Sequence, residues 1–121
     1  MKIPFVDLQS QYQNLSQEIN EKVIQVMKKG DFILGDELKL FEEDFAKYCG
    51  MNFAVGVASG TDALMLSLLA SGVGKGDEVI TQANTFVATA VAIYQVGAKP
   101  ILIDVYPDNY NLDLNRLEKA I

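Results

Sequence analysis

Residues 53–64 read Phe53-Ala54-Val55-Gly56-Val57-Ala58-Ser59-Gly60-Thr61-Asp62-Ala63-Leu64. The run from Phe53 to Ala58 is short and apolar, which predicts a strand buried on both faces. Ser59-Gly60 breaks it, and Thr61 to Ser71 reads as a helix. Downstream the same alternation recurs. Glu78-Val79-Ile80-Thr81 predicts a strand, Thr85 to Val96 a helix, and Pro100-Ile101-Leu102-Ile103-Asp104 a third strand. Strand, helix, strand, helix, strand predicts an α/β fold with a mostly parallel sheet and right-handed crossovers. Asp113 is placed to cap a last helix that runs on to Ile121, so the fold is expected to continue beyond this chain.

Upstream the rhythm is helical. After an extended stretch at residues 3–8, Tyr12, Leu15, Ile19, Val23, Val26 and Met27 recur at the spacing of an amphipathic helix closed by Gly30. Leu38, Phe41, Phe45 and Tyr48 repeat that spacing and end at Gly50. Between the two patterns lies a turn-rich connection, Asp31-Phe32-Ile33-Leu34-Gly35-Asp36.

Composition removes several function classes. Half of the 121 residues are apolar, ordinary for a globular protein, and no apolar run approaches the ~20 residues of a membrane span. The opening Met1-Lys2-Ile3-Pro4-Phe5-Val6-Asp7 meets an acidic residue too early for a signal peptide, so a cytoplasmic location is expected. A net charge of −6 argues against nonspecific nucleic-acid binding, which draws its affinity from cationic side chains. With no histidine, the commonest metal ligand and general base are both missing, and no metal site is expected. The single cysteine, Cys49, excludes an internal disulfide and reads as a small buried hydrophobe near a helix end.

Ligands of an open parallel sheet collect at the carboxyl ends of its strands. The first such end carries Ser59-Gly60-Thr61-Asp62. Gly60 permits close backbone approach, the next amides begin a helix, and the Thr61 hydroxyl adds a donor. A Ser or Thr that merely caps the helix explains the same spacing. The second end carries Gln82-Ala83-Asn84-Thr85-Phe86, where Phe86 either lies flat against an aromatic ligand or packs in the core. The third carries Asp104 and Tyr106-Pro107-Asp108. A phosphate cradle, an aromatic plate and polar groups suit a phosphorylated aromatic cofactor. Gly72-Val73-Gly74-Lys75-Gly76-Asp77 precedes a strand and lacks Ser or Thr after Lys75, so it reads as a turn and not a P-loop. No G-x-G-x-x-G follows a strand, which disfavours a dinucleotide-binding reductase.

Several segments together resemble the DegT/DnrJ/EryC1/StrS family. They are Pro4-Phe5-Val6-Asp7-Leu8, Ile33-Leu34-Gly35, Phe41-Glu42, Tyr48-Cys49-Gly50 and Ser59 to Leu64, then Gly76 to Thr81, Asn84 to Thr89 and Gly97-Ala98-Lys99-Pro100. The resemblance implies the N-terminal part of the large domain of a fold type I pyridoxal-phosphate (PLP) transferase, an α/β/α architecture. It implies a homodimeric aminotransferase that passes an amino group from an amino acid such as glutamate to a nucleotide-linked keto-sugar. By resemblance Gly60, Thr61 and Asp62 hold the cofactor phosphate and Phe86 stacks on its ring. The opening segment and the Phe32 to Gly35 loop match parts near the substrate entrance and the dimer contact.

The family's covalently binding lysine, its pyridinium-pairing aspartate and its small C-terminal domain fall beyond the equivalent of Ile121. None of Lys2, Lys22, Lys28, Lys29, Lys39, Lys47, Lys75, Lys99 and Lys119 corresponds to that lysine. The chain alone is therefore expected to be inactive, with no catalytic residue of its own. A sugar dehydratase of the same family, a regulatory member and a noncatalytic binding module remain as alternatives.

Overall fold

The computed structural model describes residues 3–121, so Met1 and Lys2, which opened the segment read against a signal peptide, lie outside it. The chain divides into two compact units, one ending at Gly56 and one beginning at Val57.

The first unit holds α1 (Leu8–Lys29) and α2 (Asp36–Tyr48). Asp7 caps α1: its carboxylate accepts from the Ser10 N–H at 3.0 Å and from the Ser10 hydroxyl at 2.7 Å. Those bonds, the backbone one foremost, hold the Asp7 carboxyl below the ordinary carboxylate value. The helix closes at Gly30, with Lys28 and Lys29 in its last turn complementing the dipole. On α2, Phe41, Phe45 and Tyr48 lie along one face, with ring centroids 5.5 Å and 6.3 Å apart in succession. Ala46 is buried on this helix, while most large apolar side chains of both helices remain exposed. Cys49, expected in the interior, is exposed. It stands at the C-cap of α2, past the last turn, where among the described residues no element covers it.

The second unit holds α3 (Gly60–Ala70), β1 (Glu78–Gln82), α4 (Val87–Gln95), β2 (Lys99–Ile103) and α5 (Leu114–Ala120). The strands pair in parallel, in register from Glu78 opposite Lys99 to Gln82 opposite Ile103. The helix α3 packs on α4, α4 packs on both strands, and α5 packs on β2. Ala92, Ile93, Ala98 and Ile103 form the buried centre. Both helices that precede a strand end alike. After α3 the Gly72 N–H bonds Leu69 and the Val73 N–H bonds Leu68. After α4 the Gly97 N–H bonds Tyr94 and the Ala98 N–H bonds Ile93. These are Schellman endings, which need a left-handed residue, and the glycines supply it at φ +80° and +84°. Gly72 to Asp77 is the expected turn, closed by the Asp77 carboxylate accepting from the Gly74 N–H at 2.8 Å.

One expected strand is missing. Residues 53–58 run without a ladder partner, and Phe53 and Val55 are 87% and 78% exposed, not buried on two faces. A strand exists only where another backbone answers its N–H and C=O groups, and among the described residues none does. The expected ladder of three strands is a pair, although the α/β class and the parallel pairing stand. No helix among the described residues is long and apolar enough to cross a membrane.

Candidate functional site

Ser59 turns the chain into α3. Its backbone is extended, at φ −160° and ψ 166°, and its hydroxyl accepts from the Asp62 N–H at 3.1 Å. Its carbonyl accepts from the Ala63 N–H at 3.0 Å. The capping alternative is thus realised at Ser59, and it accounts for two first-turn amides. The N–H groups of Gly60 and Thr61 have no partner among the described residues, and they sit at the positive end of an eleven-residue helix.

Gly60 is informative for what it does not do. Its φ is not left-handed, and a Cβ added there would meet nothing within 4 Å. Neither backbone conformation nor packing in this chain asks for glycine at this point. The missing side chain leaves access: a ligand can reach two free amides without passing a Cβ. Thr61 and Asp62 follow on the same turn, both half-buried. The first turn of α3 therefore offers two backbone donors, a hydroxyl and open space, a donor set suited to a phosphate.

Phe86 occupies the N-cap of α4, at φ −68° and ψ 141°, and its carbonyl accepts from the Thr89 N–H at 3.1 Å. The ring is 77% exposed, so the core-packing alternative is not what the fold contains. An aromatic ring standing free beside the carboxyl end of β1 has a face available for a ligand. Chain path relates the two features. The helix α3 leads to the amino end of β1, α4 leaves its carboxyl end, and the helices pack together. Gly60, Thr61 and Asp62 thus share one helical turn, and Phe86 opens the neighbouring helix.

The third strand end behaves differently from expectation. Asp104 accepts from the Val105 N–H at 3.0 Å and lies 3.8 Å from Arg116. Val105 bridges Leu112, the Tyr106 N–H bonds Asn111, and the Tyr106 hydroxyl accepts from the Leu114 N–H. These polar groups close the 104–113 loop on itself. At its end Asp113 caps α5. Burial raises its carboxyl, but N–H donation from Asn115 and Arg116 and the Arg116 charge outweigh that and leave it below the ordinary value.

One residue at the second strand end carried no role in the sequence reading. The Gln82 side-chain amide donates to the Asn84 carbonyl at 3.2 Å, inside the turn that presents Phe86. A polar residue ending an apolar strand was the only sequence signal for it.

The model of the DegT/DnrJ/EryC1/StrS aminotransferase family matches residues 13–121. A pleiotropic regulatory protein of Geobacillus stearothermophilus is 44% identical over 121 residues, covering 100% of this chain and 32% of that protein. The dTDP-3-amino-3,4,6-trideoxy-alpha-D-glucose transaminase of Streptomyces venezuelae is 42% identical over 120 residues, covering 99% and 32%. A Bacillus subtilis protein solved with bound cofactor PMP is similar at a TM-score of 0.92 and 35% identity, over 99% of this chain and 28% of that one. The chain spans about a third of the length of the curated relatives it matches. It belongs to the DegT/DnrJ/EryC1/StrS aminotransferase family.

Proposed function

We propose that the full-length protein is a PLP-dependent aminotransferase that moves an amino group from an amino acid, glutamate in this reading, onto a nucleotide-linked keto-sugar. Residues 1–121 supply the N-terminal segment and part of the large domain. The observation that carries the reading is Gly60, a glycine with no conformational or packing duty beside two free helix-start amides.

The roles follow from the donor set. The N–H groups of Gly60 and Thr61 donate to the cofactor phosphate, and the Thr61 hydroxyl adds a third donor. Ser59 holds the turn in shape from behind, and Asp62 completes the segment. Phe86 lays its ring against the pyridine ring and keeps water from one face. Bound PLP supplies an electron-withdrawing ring, which stabilises the charge that develops as nitrogen changes carbon. The lysine that binds it covalently and the aspartate that pairs with its ring nitrogen belong, in this reading, to the remainder of the protein. The 121-residue chain alone does not turn over. The protein works as a cytoplasmic homodimer, without nucleic-acid or membrane partners.

Thr61→Ala and Phe86→Ala in the full-length protein test the assignment. Each is expected to weaken PLP retention by about tenfold, the scale of a lost charged hydrogen bond or ring contact. Unchanged PLP affinity in both variants refutes the site. The name of the Geobacillus relative supports a second reading, in which the same cradle serves a regulatory protein. Amino transfer to a nucleotide-linked keto-sugar, assayed by product mass, separates the two.

A further inference from the structure

The stretch between β1 and α4 is short, and its job in the proposed cradle is to present Phe86. Its shape is weakly specified by its own residues. Ala83-Asn84-Thr85 contains neither proline nor glycine, so Asn84 is its one turn-favouring residue. The sheet ladder also stops early. The Ala83 N–H bonds the Ile103 carbonyl at 2.7 Å, and after it the backbone leaves the strands. From the far side, the helix start is held by the Thr89 N–H on the Phe86 carbonyl and by the Thr85 and Thr89 hydroxyls, 3.1 Å apart. The middle of the turn lies between these two anchors.

Gln82 reaches into that gap. It is the last residue of β1, paired opposite the buried Ile103, so its backbone is fixed by the sheet. Its side-chain amide donates to the Asn84 carbonyl at 3.2 Å and thereby ties the centre of the turn to the strand. We infer that Gln82 is a positioning residue, which sets the direction in which Phe86 is offered to the cofactor ring; the inference rests on the cradle proposed above. Gln82 itself touches no reacting atom in this scheme. Its effect passes through the Asn84 carbonyl and one further peptide unit to Phe86, the N-cap of α4.

The test uses the full-length protein. Gln82→Met keeps the length of the side chain and removes the donor. Gln82→Glu places an acceptor against the Asn84 carbonyl and should be at least as damaging. Three readouts are taken: PLP affinity, visible circular dichroism of the bound cofactor, and thermal unfolding of the cofactor-free protein. The expected result is PLP affinity about three- to tenfold weaker in both variants, the scale of one hydrogen bond. The visible dichroism should fall and the cofactor-free melting temperature should stay unchanged. Wild-type affinity and dichroism in Gln82→Met overturn the inference, as does a drop in melting temperature with affinity unchanged. Phe86→Ala is measured beside them. If it weakens PLP binding while Gln82→Met does not, the cradle stands and the role of Gln82 falls. If Phe86→Ala is also silent, the aromatic plate is wrong and the inference falls with it.

Discussion

The Glu42 carboxylate accepts a hydrogen bond from the Gly56 N–H at 2.6 Å, and a side chain at Gly56 would crowd the tip of Leu38. A Cβ there would stand 2.6 Å from Leu38 Cδ1 and 3.4 Å from Glu42 Oε1. The helix α2 thus grips the extended segment by one charge-assisted bond and one close approach. Glu42→Ala is expected to destabilise the protein by about 1–2 kcal/mol in urea unfolding, and Glu42→Gln, which keeps an acceptor, by less than half of that. Gly56→Ala should cost about 1 kcal/mol, because the tip of Leu38 can turn aside. Equal losses for Glu42→Ala and Glu42→Gln would mean that the negative charge matters and the bond geometry does not.

Gly60→Ala separates folding from binding at the cradle. With nothing within 4 Å of the new Cβ and no left-handed φ, the cofactor-free protein should keep its stability to within about 0.5 kcal/mol. The methyl group would nevertheless stand where a phosphate approaches the free amides, so PLP affinity should fall by about tenfold or more. Calorimetry of the cofactor-free form and PLP titration of the same preparation check both halves. Loss of stability without loss of affinity would return Gly60 to a structural role.

The ion pairs before α2 predict a pH dependence whose sign can be worked out. The Lys29 ammonium lies 3.2 Å from Asp31 and also bonds Asp36, whose N–H in turn bonds the Asp31 carboxylate. Lys29, chiefly through Asp36, holds its proton above the ordinary lysine value, and Asp36, through Lys29, loses its proton below the ordinary carboxylate value. A lowered carboxyl stabilises the fold above its unfolded value, about 3.9, and that gain is lost as the pH falls through the folded value. A raised lysine stabilises the fold below its unfolded value, about 10.4, and that gain is lost as the pH rises through the folded value. The cluster therefore contributes across the neutral range and fades at both extremes. All three groups are solvent-accessible, so Lys29→Met should lower the neutral-pH melting temperature by only about 1–2 °C. The difference between variant and wild type should narrow progressively as the pH falls below the unfolded carboxylate value, about 3.9, and should shrink in 1 M salt.

Much of the fold was legible because it is written locally. The apolar spacing from Tyr12 to Met27 lies within α1 (Leu8–Lys29), Gly30 caps its end, and the pattern from Leu38 to Tyr48 lies within α2. Helix periodicity, caps and glycine endings each involve residues no more than about five apart, so a linear reading recovers them. The same holds for Gly72 to Asp77, where the absence of Ser or Thr after Lys75 correctly pointed to a turn. Of the candidate site, Gly60, Thr61 and Asp62 were readable as a helix start. The two duties of Ser59, as cap through its hydroxyl and as acceptor through its carbonyl, needed coordinates.

The order of residues was enough to specify the helices, the two parallel strands that pair, the α/β class and the family. It also marked Gly60 and Phe86 as the residues to watch. Tertiary structure decided what depends on distant partners. It left residues 53–58 without a ladder among the described residues, exposed Cys49 and the Phe86 ring, bonded Asp104 to the Val105 N–H, and joined Glu42 to Gly56 and Gln82 to Asn84. The reason is one of range. A helix satisfies its backbone with neighbours in the chain, so its pattern is self-contained. A strand, a burial and a side-chain anchor depend on what arrives from elsewhere, and spacing along the chain does not encode that.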